Sequence, residues 1–234
     1  MSEFHVAIDG PAGSGKSTIS SLIAKRLNWT HIDTGAMYRA VTLCALNKKV
    51  NLNDEKAYSF LEDTKINYQN DKILINGKDV SSEIRSEVVT NNVSLVSSFP
   101  YVRKKMVYLQ QQAAKDQKII MDGRDIGTVV LPNADVKVFL TANVEERAKR
   151  RYAEHKTKGR ESDIESLIKD IQTRDVKDST REESPLKQAK DANVIDTTYL
   201  TIEEVVNIII NLIEKKENEW DGYNNAKGRR HRWR

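Results

Sequence analysis

Phe4-His-Val-Ala-Ile-Asp-Gly-Pro-Ala-Gly-Ser-Gly-Lys-Ser-Thr18 carries an apolar run into a glycine-rich bend, and helical spacing follows at once through Ile19, Leu22, Ile23 and Leu27. Such a run, punctuated by glycine and continued at i, i+3, i+4 intervals, reads as strand, loop and helix. Within it, Gly10-Pro-Ala-Gly-Ser-Gly15-Lys16-Ser17 satisfies the spacing G-x-x-x-x-G-K-[ST] in the context that gives this spacing physical meaning. The glycines let backbone N–H groups point inward around phosphate oxygens, and the helix adds the positive end of its dipole. Gly10, Pro11, Ala12, Gly13, Ser14, Gly15, Lys16, Ser17 and Thr18 are therefore candidate nucleotide-binding residues. Lys16 would reach the β- and γ-phosphates of a nucleoside triphosphate, and the Ser17 hydroxyl would sit on Mg²⁺.

Working outward, short apolar runs recur at Thr30–Asp33, Lys118–Met121, Val136–Leu140 and Asn193–Ile195, each followed by polar loop residues and usually by a helical stretch. This alternation predicts an α/β fold with a mostly parallel five-stranded sheet covered by helices on both faces. Capping boxes mark helix starts at Asn143-Val-Glu-Glu146, Ser162-Asp-Ile-Glu165 and Thr201-Ile-Glu-Glu204. Pro185 is expected to stop the helix that begins near Ser162. One region breaks the pattern. Lys65–Gln69 and Lys72–Ile75 read as two strands joined by Asn70-Asp71, within a small β-rich insertion of about 56–95. From Asn218 the sequence has no periodicity, so residues 218–234 read as a basic, disordered tail.

Composition bounds the function. The chain has 234 residues, 38% of them hydrophobic and 31% charged, which suits one globular unit of residues 1–217 rather than a disordered chain. The formal charge of +4 is local, because Lys227, Arg229, Arg230, Arg232 and Arg234 exceed the whole excess. A basic balance confined to a tail does not argue for a nucleic-acid-binding body. The single cysteine, Cys44, excludes an internal disulfide and a multi-cysteine zinc site. Val205–Ile213 is too short and too interrupted to span a membrane, and no signal-peptide pattern opens the chain. A cytoplasmic protein is expected.

The use of the nucleotide is read from the loops that follow strands, where ligands sit in open α/β sheets. A GTPase requires N-K-x-D, and Asn47-Lys48-Lys49-Val50 lacks the aspartate. Asp122 is an acidic residue at a strand end, too generic to specify a motor ATPase. A kinase for a small acceptor predicts a second anion site facing the first. Asp33-Thr-Gly-Ala-Met-Tyr-Arg39 and Asp122-Gly-Arg-Asp-Ile-Gly127 supply Arg39 and Arg124 for it. Arg174, Asp178 and Arg181 share a face if one helix carries all three, and Arg147 faces Arg150 and Arg151. Guanidinium groups grip phosphate bidentately and stay charged. None of His5, His31, His155 and His231 forms a base-plus-nucleophile arrangement, which favours an acceptor that is already anionic, with Asp33 and Asp125 left as candidate bases for a hydroxyl acceptor.

These residues resemble the bacterial cytidylate kinase family of P-loop nucleoside monophosphate kinases. The resemblance rests on the phosphate loop, Asp33–Arg39, Asp122-Gly-Arg-Asp-Ile-Gly-Thr-Val-Val130, Glu145–Arg151, and Arg174-Asp175 with Arg181, and it runs to about Glu214. It implies a P-loop kinase core, a CMP-binding insertion over 56–95 and a mobile lid over 151–163. The implied activity is transfer of the γ-phosphoryl of ATP to CMP or dCMP, with Mg²⁺, by a monomer with no membrane or nucleic-acid partner. By matched position, Ser94, Arg103 and Asp125 would read the cytosine edge, and Arg174 and Asp178 would hold the ribose. Arg39, Arg124 and Arg181 would bind the acceptor phosphate, and Thr34 stands where many members have serine. Lys16, Arg124, Arg147, Arg151 and Arg181 would stabilise the transferring group. The competing expectations are a P-loop kinase for UMP or shikimate, and an RNA-associated NTP-binding protein that uses the tail.

Overall fold

Val6, Ala7 and Ile8 have no solvent exposure, so the first strand needs apolar side chains on both of its faces, as a central parallel strand does. The computed structural model describes residues 3–69, 72–157 and 159–230. Its elements in chain order are β1 (Phe4–Asp9), α1 (Lys16–Leu27), β2 (Thr30–Asp33), α2 (Thr34–Asn47) and a 3₁₀ stretch (Glu55–Glu62). There follow β3 (Ile66–Gln69), β4 (Lys72–Ile75), β5 (Lys78–Asp79), a 3₁₀ turn (Glu83–Arg85), α3 (Glu87–Val96) and α4 (Pro100–Ala114). The chain then forms β6 (Lys118–Gly123), a π turn (Ile126–Val130), β7 (Val136–Thr141), α5 (Val144–Thr157), α6 (Ile164–Thr180), β8 (Asn193–Asp196) and α7 (Ile202–Arg230).

The main sheet runs β2-β6-β1-β7-β8, and every pairing in it is parallel. The five predicted strands are these five. One face packs Ile19 and Ile23 of α1 and Val205, Val206 and Ile209 of α7 against Val6, Ile8 and Val138. The other face packs α2, α4 and the inserted segment against Ala7, Ile32, Ile119 and Met121. The inserted segment holds a second, antiparallel sheet of order β3-β4-β5. The Asn70-Asp71 turn expected between β3 and β4 lies outside the described residues.

Three expectations about helix ends are corrected. The cap of α6 is Asp163, whose carboxylate accepts from the Ser166 N–H at 2.8 Å, one residue later than the Ser162 box. A carboxylate at that place also meets the positive end of the helix dipole. The same helix ends at Thr180, well before Pro185. The Asp178 carbonyl is taken by Leu186 N–H at 2.7 Å, and Arg181 turns to an extended conformation with ψ 145°. The expected disordered tail is helical through Arg230, because α7 continues across 218–230; residues 231–234 lie outside the described residues. Lost apolar periodicity removes a packed face, not the helix, since each added residue contributes a hydrogen bond once a packed segment has nucleated it. The other two caps stand as read: Glu146 N–H meets Asn143, and Thr201 and Glu204 satisfy each other reciprocally.

Asp9 ties the end of β1 to the loop after β6. Its buried carboxylate accepts from the N–H groups of Ile126 at 2.8 Å and Gly127 at 2.7 Å, which fixes the π turn just beyond Arg124 and Asp125. Burial pushes its pKa up to about 6, against the opposing pull of those two backbone hydrogen bonds. A carboxyl raised in the fold contributes stability below its unfolded value that is lost as pH rises through about 6. Asp9→Asn is therefore expected to remove on the order of 1–3 kcal/mol of the fall in stability between pH 4 and 6. Urea unfolding across that range checks it; an unchanged slope would remove Asp9 as its cause.

Candidate active site

The phosphate loop begins at a contact that leaves no room for a side chain. Gly10 has φ 152°, and a Cβ there would lie 2.0 Å from the Leu140 carbonyl oxygen. Gly15, at φ 90°, takes the left-handed conformation that starts α1. Lys16 is buried, and its ammonium donates to the Pro11 carbonyl at 2.7 Å and lies 3.4 Å from Ser14 Oγ. Burial first, and then the charge of Arg124, hold the Lys16 pKa well below its ordinary value. Such a cation gains from any anion placed beside it.

Ser17 Oγ donates to Asp122 Oδ2 at 2.7 Å, and Thr34 Oγ1 donates to the Asp122 backbone carbonyl at 2.7 Å. Asp33 stands opposite Asp122 in the register of β2 with β6. Burial and the Asp122 charge push the Asp33 carboxyl up. Hydroxyl and carboxylate oxygens in this arrangement suit Mg²⁺, a hard cation that is usually bound by one or two carboxylates, water and substrate phosphates. Among the described residues no group of three or more His, Cys, Asp or Glu could hold a metal by itself. An ion arriving with the nucleotide would meet Ser17 and Asp122 as its nearest protein oxygens.

These residues open onto a cavity of about 1260 Å³, larger than the roughly 300–1,000 Å³ of a single-ligand pocket. Its far wall carries the arginines expected to form a second anion site. Arg124 Nε donates to Asp178 Oδ2 at 2.8 Å, Arg174 Nε is 3.9 Å from the same oxygen, and Arg39 donates to Thr90 Oγ1 at 2.8 Å. Burial, and next the Arg124 charge, push Arg174 down to about 9. Burial lowers Arg39 as well, whereas the Asp178 charge and hydrogen bond outweigh burial and raise Arg124; such clustered, perturbed groups in a cavity are a physical sign of a functional site. Beside them Arg103 NH2 meets Asp125 Oδ2 at 2.5 Å, with both side chains buried. The Arg103 guanidinium lies over the Tyr38 ring at 5.1 Å, donates to the Ser97 carbonyl at 3.1 Å, and leaves its Nε without a hydrogen-bond partner among the described residues. Burial alone would lower the Arg103 pKa; the Tyr38 and Asp125 charges outweigh it and the net shift is upward. Arg181 NH2 is 3.8 Å from Asp125 Oδ1.

Most of the expected residues meet at this cavity, and Arg147, Ser94, Gly10 and Pro11 are outside its lining. Arg147 does not face the cavity. It donates to the carbonyls of Ala12 and Ala142 and pairs with Asp175 at 2.7 Å, bracing the phosphate loop from behind. Ser94 is on α3 between Val93 and Ser97, which line the cavity, but does not line it itself. Gly10 and Pro11 also lie behind the lining, as structural parts of the loop. Arg181 reaches Asp125 although it sits past the end of α6, so the shared helix face does not explain its placement. Arg174 and Asp178, an ordinary surface pair by spacing alone, border the cavity, and Arg124 makes the closer contact to Asp178. Arg150 lines the cavity but spends its donors on Thr197, whereas Arg151 and Arg160 face inward without that tie. The sequence reading missed Arg85 and Ser97 and undervalued Asp122. Arg85 follows the inserted sheet, whose closure over the core no local spacing reveals.

The comparisons agree with this geometry. The family model described as cytidylate kinase matches residues 6–215. The chain is 58% identical to the cytidylate kinase of Acholeplasma laidlawii over 92% of this chain and 96% of that one. It is 55% identical to the cytidylate kinase of a Geobacillus species, over 91% and 97%. Among solved structures, a gluconokinase from Sinorhizobium meliloti superposes with a TM-score of 0.51 at 12% identity, over 94% of this chain and 97% of that one, which supports the fold alone. A phosphate loop facing an arginine-lined wall, matched over nearly the whole chain at such identity, makes this protein a member of the cytidylate kinase family.

Proposed function

We propose that the chain transfers the γ-phosphoryl group of ATP to CMP and dCMP, giving the diphosphate and ADP. A phosphate oxygen of the acceptor attacks the γ-phosphorus in line, and the bond to the β-phosphate oxygen breaks. The observation that carries the base assignment is the buried Arg103–Asp125 pair on the wall of the cavity that also holds the phosphate loop. Cytosine presents an amino donor that Asp125 can accept, beside ring acceptors for Arg103. Uracil reverses that edge, and each polar group left unpaired costs about 1–3 kcal/mol.

The remaining assignments follow the cavity. Lys16 and the phosphate-loop N–H groups hold the donor; Arg39, Arg124 and Arg181 hold the acceptor phosphate; Arg174 and Asp178 lie where the ribose would sit. Mg²⁺ bound to the nucleotide would neutralise charge between the phosphates, with Ser17 and Asp122 as its protein contacts. The inserted segment of 56–95 contributes the acceptor side, supported by Arg85 and Thr90 in the lining and by the Arg39–Thr90 hydrogen bond. The stretch 151–163 closes as a lid, supported by Arg151 and Arg160 in the lining. Closure would exclude water from the transferring group. No helix among the described residues is long and apolar enough to cross a membrane. Neither UMP, shikimate nor an RNA role is favoured by relatives that are 55–58% identical cytidylate kinases.

An ADP-coupled assay across CMP, dCMP, UMP, AMP, GMP and shikimate tests this. CMP and dCMP are expected to exceed UMP by about tenfold or more in kcat/KM, as one to three kcal/mol of discrimination requires. A preference for UMP or turnover of shikimate would sink the proposal.

A further inference from the structure

The register of β2 with β6 sets His31 opposite Ile120 and Asp33 opposite Asp122. Side chains alternate along a strand, so His31, Asp33 and Asp122 share one face of the sheet. The buried His31 reaches along that face until Nε2 lies 2.7 Å from Asp122 Oδ1. The other oxygen of the same carboxylate, Oδ2, accepts the Ser17 hydroxyl at 2.7 Å. Thr34 meanwhile anchors the Asp122 backbone carbonyl. Asp122 is thus held at its main chain by Thr34 and at its inner oxygen by an imidazole, which leaves only the outer oxygen directed at Ser17. A carboxylate accepts, so the hydrogen bond requires the proton on His31 Nε2. Without that donor the carboxylate could turn about its terminal torsion, which is broad and roughly two-fold.

We infer that His31 is a positioning residue: its Nε2–H fixes the Asp122 carboxylate so that Oδ2, beside the Ser17 hydroxyl, is set as an oxygen ligand for the nucleotide-bound Mg²⁺. The inference rests on the phosphoryl-transfer reading above. It is the arrangement in which an outer hydrogen bond orients a metal-binding carboxylate, and loss of such a partner typically costs about 10–100-fold in metal affinity. His31 also packs edge-on against Tyr68 of β3, with ring centroids 6.3 Å apart, so a packing role must be separated from an orienting one.

The test uses the full chain with ADP and Mn²⁺ as a spectroscopic substitute for Mg²⁺, reading free Mn²⁺ by electron paramagnetic resonance. His31→Leu is expected to weaken Mn²⁺–ADP binding about tenfold or more. His31→Gln, whose Nε2 amide can reach the same oxygen, should restore it to within about threefold. ADP affinity measured by calorimetry in EDTA should be the same for all three proteins. Wild-type Mn²⁺ affinity in the leucine variant would overturn the inference, as would an equal loss of metal-free ADP binding or a glutamine variant no better than leucine. If His31→Leu does not fold, Gln is compared with Asn, which carries the same amide on a shorter stem; equal Mn²⁺ affinities would overturn it too. Because this readout needs no acceptor, CMP turnover by the wild type, assayed alongside, judges the functional reading separately.

Discussion

Arg124→Ala lowers kcat/KM for CMP by on the order of 10²–10³, a loss of about 3–4 kcal/mol of transition-state stabilisation. Two effects combine in that expectation. The variant removes a guanidinium from the wall facing the phosphate loop, and it strips the buried Asp178 of its 2.8 Å partner. Arg174, 3.9 Å from the same carboxylate, is left as its neighbouring cation. Arg124→Lys keeps a charge but loses the planar fork, so it should recover only part of the rate. Steady-state kinetics with CMP and ATP varied in turn distinguish the cases. Near-normal turnover in the alanine variant would remove Arg124 from the reaction.

Arg103→Ala is expected to act on stability and on base selection together. Deleting one partner of a buried ion pair leaves an uncompensated charge and costs about 3–5 kcal/mol. Asp125 would keep Arg181 at 3.8 Å as its neighbouring cation. Urea unfolding reads the stability loss, and the monophosphate panel reads selection. The expected outcome is a lowered midpoint with discrimination of CMP over UMP reduced by about 1–3 kcal/mol, roughly ten- to a hundredfold. If the alanine variant is too unstable to assay, Arg103→Lys retains a charge without the fork and should show the selection defect alone. Unchanged discrimination in a folded variant would contradict base reading by this residue.

The loss at Arg124 and the loss at Arg103 reach different parts of the cavity, because the two arginines arrive by different routes. Arg124 follows a strand whose apolar run was plain in the sequence, in a glycine-bearing loop where ligands sit, so local reasoning found it. Arg103 is on α4 with 2% of its surface exposed, and no periodicity singles it out from Lys104 and Lys105 beside it. Only its matched position in the family resemblance did. Arg147 shows the reverse failure. Its spacing with Arg150 and Arg151 is right for a helix face, yet the sequence does not say that this face turns toward the back of the phosphate loop and finds the carbonyls of Ala12 and Ala142. Helical spacing reports which side chains are neighbours, not what they face.

The strands, the parallel sheet their alternation with helices implies and the phosphate loop were readable because each depends on residues close together in the chain: apolar runs, capping groups and glycines where φ must be positive. Asp122 looked generic for the opposite reason. Its meaning comes from Ser17, 105 positions away, and from His31, 91 positions away. A hydrogen bond formed across such a separation leaves no local pattern, since its geometry is set by how strands align and helices pack over them. The folding of the chain upon itself, rather than any spacing along it, brings the guanidinium groups, the Arg103–Asp125 pair and the Ser17–Asp122–His31 line around one cavity.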